Sequence, residues 1–177
     1  RHNLPLFRNL LRELEPTAPN QVWVSDVTYI RTDEGFEYLT LIMDRHSRKI
    51  VGYSCGDTLD AEANLAALRL ALAELPDNRY PIHHSDRGCQ YCCHEYVRVL
   101  QSRHLPISMT EENHCYENSH AERLNGILKQ KYALGVSFRT RKQARRAADQ
   151  AVWLYNHRRP HGSLQNRIPA NVHSQAA

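Results

Sequence analysis

The rhythm of apolar and polar positions changes several times along the 177 residues, and each change marks an element. From Val22 to Ile30 nearly every residue is β-branched or aromatic, which predicts a strand. On a period of two, Val22, Val24, Asp26, Thr28 and Ile30 share one face, so a carboxylate projects from an otherwise apolar row. Burying a carboxylate is costly unless it is hydrogen-bonded, paired or bound to a metal. Asp26 is therefore either an edge or hydrogen-bonded residue, or a functional one. Asp33-Glu34-Gly35 predicts a turn, residues 37–44 a second strand and residues 50–55 a third, joined as an antiparallel meander.

Helical spacing begins at Asp60, with leucines at 65, 68, 72 and 75, and stops at Pro76-Asp77-Asn78. This helix is apolar round most of its circumference and should pack on the sheet. Residues 81–86 predict a fourth strand ending in Asp86, 94–103 a helix and 106–109 a fifth strand. A flexible stretch, 110–117, precedes helices at about 119–132 and 140–158. Residues 1–20, with a helical turn or two at 4–11 and a linker punctuated by Pro16 and Pro19, predict a loosely attached leader to a core of residues 21–158. Residues 159–177, carrying Pro160 and Pro169, predict an irregular tail, and opening at Arg1 rather than Met suits a fragment.

These elements describe an α/β fold: a mixed five-stranded sheet, its first three strands antiparallel, with helices on both faces. A crossover through the 60–75 helix lays the fourth strand parallel beside the first. Asp26 and Asp86 then meet at a topological switch point, where open sheets bind ligands.

Composition narrows the function. No apolar run approaches the ~18 to 20 residues that cross a bilayer, so no membrane partner is expected, and no signal peptide is recognisable. Five cysteines, odd in number and unevenly spaced, argue for a reducing cytosol over a disulfide framework. The net charge is only +4, but residues 118–167 hold eleven Lys and Arg against Glu122 and Asp149. Arg139, Arg141, Lys142, Arg145 and Arg146 fall within one helix and its approach; they read as a solvated face or, lacking interleaved acids, as a DNA-binding one.

A third acid, Glu122, shares a helix face with Asn118, Asn125 and Lys129, while Ala121, Leu124 and Leu128 form another. Ser119-x-x-Glu122 also reads as a capping box. Two aspartates on adjacent strands and a helix glutamate make an all-oxygen site suited to Mg²⁺ or Mn²⁺. Two such ions would activate an attacking water or 3′-hydroxyl and stabilise the leaving oxygen of a phosphodiester displacement. Cys89, Cys92, Cys93 and His94, with His114 and Cys115, offer a weaker zinc pattern that lacks a second C-x-x-C. The plainer reading is reduced thiols, with Cys89 close enough to the acids to be modified. His83, His84, Trp153 and Tyr155 read as packing residues.

Four blocks in order resemble the integrase core of bacterial insertion-sequence transposases of the DDE class, relatives of retroviral integrases on a ribonuclease H-like fold. They are residues 23–29, residues 84–91, Tyr116-Glu117-Asn118 with Glu122, and residues 155–161; 35 residues separate Asp86 from Glu122, as in that family. Glu117 and Cys89 depart from the commoner Asp and Ser there. The resemblance implies a metal-binding catalytic triad of Asp26, Asp86 and Glu122, with Asn125 and Lys129 near the scissile phosphate. It implies strand cleavage and transfer at the ends of a mobile element in a bacterial, nucleoid-associated setting. It further implies double-stranded DNA as partner, a homodimer or higher oligomer, and a preceding helix-turn-helix region. The alternatives are a catalytically silent DNA-binding or assembly module on the same fold, and a ribonuclease H-like nuclease.

Overall fold

A computed structural model describes residues 4–111 and 118–175. The strands are β1 (Val22–Thr32), β2 (Gly35–Asp44), β3 (Ile50–Gly56), β4 (Ile82–Ser85), β5 (Ile107–Met109) and β6 (Ser137–Phe138). The helices are α1 (Ala61–Ala73), α2 (Cys89–Cys92), α3 (His94–Ser102), α4 (Ser119–Lys131), α5 (Arg141–Arg158) and α6 (Pro169–Ser174), with a 3₁₀ turn at Gly162–Leu164.

The sheet order is β3-β2-β1-β4-β5, with the two-residue β6 also on β1. The meander β1-β2-β3 is antiparallel; β4, β5 and β6 run parallel to their neighbours. This is the expected mixed sheet with helices on both faces, enlarged by β6.

Alternation along β1 divides the core in two. Trp23 joins Ile42, Val51 and the leucines of α1 on one face, together with Tyr91, Tyr96 and Leu100. Val22, Val24 and Ile30 join Leu39, Leu41 and Met43 against α4 and α5 on the other. Burying each such aliphatic side chain contributes about 1.5–3 kcal/mol. Asp26 lies on the α4 face, as the period-two reading requires.

Two local features set the helices. At Gly52 of β3 an added Cβ would lie 2.2 Å from the Ala67 carbonyl, so only glycine lets α1 approach this closely. Asp60 caps α1 by accepting from the Glu62 N–H at 3.1 Å, and Thr140 caps α5 by accepting from Gln143 at 3.1 Å.

Three expectations about the ends need correction. Over its described residues, 4–20, the leader forms no helix and is not loose. The Leu10 N–H bonds to Ser108 at 2.9 Å, Asn9 and Arg12 bond to Glu111, and the Asn20 N–H bonds to Asp44 at 2.7 Å. Leu4 and Phe7 pack on one core and Leu11 and Leu14 on the other, so side-chain partners far along the chain hold an extended strap. The tail is not irregular either: Pro169 starts α6, a position where its missing N–H costs nothing, and Val172 is buried. Trp153 is half-exposed rather than core, stacked near His157 and under the Arg158 guanidinium, whereas Tyr155 is buried.

Candidate active site

β1 pairs with β4 up to Val24 opposite His84. Two residues further along each chain stand Asp26 and Asp86, so the parallel register delivers both acids to one end of the β1–β4 seam. The Asp26 carboxylate is held at both oxygens: Oδ1 accepts from the Val27 N–H at 2.9 Å and Oδ2 from the Asn125 amide at 2.7 Å. Asp86 accepts from the Gly88 N–H at 2.9 Å, where the chain turns into α2.

Glu122 lies exposed in the first turn of α4, one turn before Asn125. The capping box is absent, because Asn118, not Ser119, is the N-cap and no side chain caps this end. Asn118 instead donates to the Ser25 carbonyl at 3.2 Å, tying the helix start to β1, and the Glu122 N–H bonds to the Asn118 carbonyl. Buried Ala121, Leu124 and Leu128 seat α4 on the sheet, leaving Glu122 outward.

Electrostatics couple the three acids. Burial pushes the Asp26 carboxyl up to about 6, and the charges of Asp86 and Glu122 add to the rise, while the bonds from Val27 and Asn125 oppose it. Carboxylate oxygens are the donors that Mg²⁺ and Mn²⁺ take, so the set fits such ions in kind. As the side chains lie, no three His, Cys, Asp or Glu residues among the described ones stand close enough together to hold an ion.

A second layer supports β1 from the opposite face. Ser25 donates to the Leu41 carbonyl and bonds to the Tyr91 hydroxyl at 2.9 Å, and Tyr96 bonds to His83 at 2.9 Å. Burial pushes Tyr91 well above its ordinary value, with the Tyr96, Asp26 and Asp86 charges adding to it, and pushes the His83 imidazole down to about 3. Sequence reasoning missed this Ser25–Tyr91 support. The signal was available, since Ser25 precedes Asp26 on the other face and Tyr91 closes the block that begins at His84.

The basic residues separate into two groups. Arg145 bonds Glu37 through Nε at 2.6 Å, and Arg141 approaches the same carboxylate at 3.9 Å while its N–H bonds to Glu34. Glu37 has no exposed surface, so these two arginines serve a buried acid of β2. Arg139, Lys142 and Arg146 are exposed. The Lys129 ammonium sits 4.2 Å above the Tyr29 ring on the side of α4 that carries Asn125.

The cysteines point apart. Cys89 is exposed, Cys92 is buried with its sulfur 3.8 Å from that of Met109, and Cys93 bonds to the Gln90 carbonyl at 3.4 Å. His114, Cys115, Tyr116 and Glu117 lie outside the described residues.

Family comparison bears directly on this arrangement. The Integrase core domain family matches residues 16–115, and a second family of the same description matches residues 103–169. The chain belongs to the integrase core family. It is 39% identical over 171 residues to the insertion element IS600 uncharacterized 31 kDa protein of Shigella sonnei, covering 96% of this chain and 63% of that protein. It is 37% identical over 142 residues to the transposase InsF for insertion sequence IS3A of Escherichia coli strain K12, covering 80% and 49%. The chain thus spans about half to two thirds of the length of these relatives.

Solved integrases share the fold. The simian T-cell lymphotropic virus intasome in complex with PP2A regulatory subunit B56 gamma matches with a TM-score of 0.76 at 20% identity, covering 98% of this chain and 59% of that one. The trimeric form of the HTLV-2 integrase catalytic core domain in complex with magnesium matches with a TM-score of 0.70 at 21% identity, covering 90% and 99%. The ribonuclease H-like architecture expected of an integrase core is therefore the one observed. No helix among the described residues is long and apolar enough to cross a membrane.

Proposed function

We propose that this chain is the catalytic core of an insertion-sequence transposase, cutting phosphodiester bonds at the ends of a mobile element and joining them to target DNA. The observation that carries this reading is Asp26: a half-buried carboxylate at the β1–β4 switch point whose charge is disfavoured by burial and by Asp86 and Glu122. Such an arrangement is costly for a protein with only a structural need and useful for one that gathers cations.

In this reading Asp26, Asp86 and Glu122 hold Mg²⁺ or Mn²⁺, as two ions. When bound, the metal supplies the positive charge that activates the attacking hydroxyl and stabilises the leaving oxygen. The chain's own residues prepare for it. Val27 and Asn125 orient the two oxygens of Asp26, and Gly88 orients Asp86. Glu122 comes from a helix fastened to β1 through Asn118. Asn125 and Lys129 then face the DNA beside the acids, and exposed Arg139, Lys142 and Arg146 bind its phosphates further out. Arg141 and Arg145, engaged with Glu37, contribute by holding α5 in place. Joining two ends calls for at least two copies, so the protein self-associates, and it works in the bacterial cytoplasm on nucleoid DNA.

Strand transfer of a labelled element end, measured in Mg²⁺ and in Mn²⁺, tests the reading. Asp26→Asn, Asp86→Asn and Glu122→Gln should each abolish joining while binding to the end persists. Retained joining in any of the three would remove that residue from the triad. A parent protein that binds ends yet never cuts would favour the silent assembly module.

A further inference from the structure

On the side of α4 turned away from Glu122, the helix, the turn after β2 and the segment after α5 enclose a cavity of about 50 Å³. It has room for ~3 to 4 water-sized groups. Arg48, His120, Arg123 and His161 line it, with Tyr155 at its base.

Positive charge dominates this wall. An Nη of Arg48 donates to Nδ1 of His120 at 2.6 Å, an acceptor that brings no negative charge. The Nε atoms of Arg48 and Arg159 are buried without a hydrogen-bond partner among the described residues. Burial pushes the Arg48 guanidinium below its ordinary value, with Arg45 and Arg123 adding to the effect. Burial likewise pushes the His161 imidazole down, helped by Arg48, Arg159 and Arg123. The acid whose charge reaches Arg48 is Glu15, which is largely exposed and already bonded to Arg45. Among the described residues the Tyr155 hydroxyl meets only the Met43 thioether, a weak acceptor, at 4.0 Å.

Buried donors without acceptors, and guanidinium groups that repel one another, both lower stability. Gathered round one concavity, they complement a tetrahedral oxyanion, which accepts several N–H and O–H bonds at once and cancels the repulsion. The geometry points to a phosphate-binding pocket formed by Arg48, Arg123 and the Tyr155 hydroxyl, with the Arg159 charge behind it, on the far side of α4 from the three carboxylates. It is distinct from the exposed basic face of α5, because its donors line one cavity and two of them, Arg48 and Tyr155, are partly or fully buried. It also lies apart from the proposed chemistry, since its cavity opens on the other side of α4 and none of the three acids lines it. The phosphate has two possible sources, a phosphodiester of bound DNA or free inorganic phosphate.

Nuclear magnetic resonance of the 177-residue chain distinguishes them. One arm titrates inorganic phosphate against chloride at matched ionic strength; the other titrates a short duplex DNA. The readouts are the His161 ring signals and the arginine Nε–H signals. Phosphate alone moving these signals assigns the pocket to the free anion. DNA moving them, with or without phosphate, assigns it to the backbone phosphodiester, and either result supports the pocket. Arg48→Gln and Arg123→Gln should each weaken the effective ligand about tenfold, the loss expected of one charge-assisted hydrogen bond. Should Arg48→Gln fail to fold, the Arg123→Gln chain, altered at an exposed position, carries the same expectation. If neither ligand moves the His161 signals, or if folded Arg123→Gln binds with unchanged affinity, the pocket is not a phosphate site.

Discussion

Asp26 and Asp44 are carboxylates on neighbouring strands and opposite faces of one sheet, and the protein treats them in opposite ways. Asp44 has no exposed side-chain surface. Its Oδ1 accepts from the Ser47 N–H at 2.7 Å and the Ser47 hydroxyl at 2.8 Å, its Oδ2 accepts from the Asn20 N–H at 2.7 Å, and His173 stands 3.8 Å away. Burial pushes its pKa up, but the bonds from His173, Ser47 and Asn20 outweigh that and hold it below the ordinary value. Asp26, less deeply buried, receives two hydrogen bonds and two neighbouring negative charges, and ends at about 6. Burial alone therefore does not mark a functional acid. The mark is burial left uncompensated, and Glu37, closed off by Arg145 and Arg141, falls on the structural side with Asp44.

The largest effect should come from Asp26→Asn. If Asp26 holds the metal as proposed, losing its charge should lower strand transfer by at least about 10³-fold, since each 1.4 kcal/mol of lost transition-state stabilisation is a factor of ten. The same change should raise stability at pH 7 in metal-free buffer, by up to about 3 kcal/mol, because a shift of roughly two pKa units disappears. A thermal melt beside the transfer assay checks both, and a variant that is inactive and also less stable would break the contrast.

Asp44→Asn should do the reverse. Replacing a threefold acceptor by an amide leaves the Asn20 or Ser47 donors unsatisfied and lowers stability by about 2–4 kcal/mol, read by urea denaturation. Activity per folded molecule should be retained.

The pH dependence of folding separates the pair more finely. The folded pKa of Asp26 lies above its unfolded value, so the native state binds more protons between about pH 4 and 6. Stability of the metal-free chain should fall as pH rises through that window and then level, and Asp26→Asn should remove the fall. Asp44 has the opposite sign: its contribution is present above its ordinary pKa of 3.8 and is lost as the pH drops below it. A rise in stability from pH 4 to 6 that depends on Asp26 would overturn the assignment.

The smallest expected effects are on the surface. Lys142→Gln and Arg146→Gln should each reduce the slope of log affinity for DNA against log salt by about one and change stability by under about 0.5 kcal/mol. Arg145→Gln should cost more stability than either, because it exposes the buried Glu37 charge.

How much of this could be read from residues alone follows from range. Asp26 and Asp86 were legible because a two-residue period and a helical crossover that makes two strands parallel neighbours are simple rules that also set register. Glu122 and Asn125 were legible through helix spacing. Arg141 and Arg145 were not, since their partner Glu37 lies on a strand more than a hundred residues earlier and charge runs do not name their partners. The strap of residues 4–20 was opaque for the same reason: Leu10 bonds Ser108 and Asn20 bonds Asp44. α2 and β6, at four and two residues, are too short to carry a period. Trp153 failed because a helix long enough to pack on one side also has a side that faces water.

β1 has three partners, and they are synthesised in a telling order. β2 arrives after a two-residue turn, β4 only after α1, and β6 only after the helix that carries Glu122. Contacts this distant in sequence form slowly and late. A chain still being made can complete its meander while the third acid has yet to leave the ribosome. The three carboxylates therefore come together only after α4 has emerged, well after the meander that carries the first of them is complete.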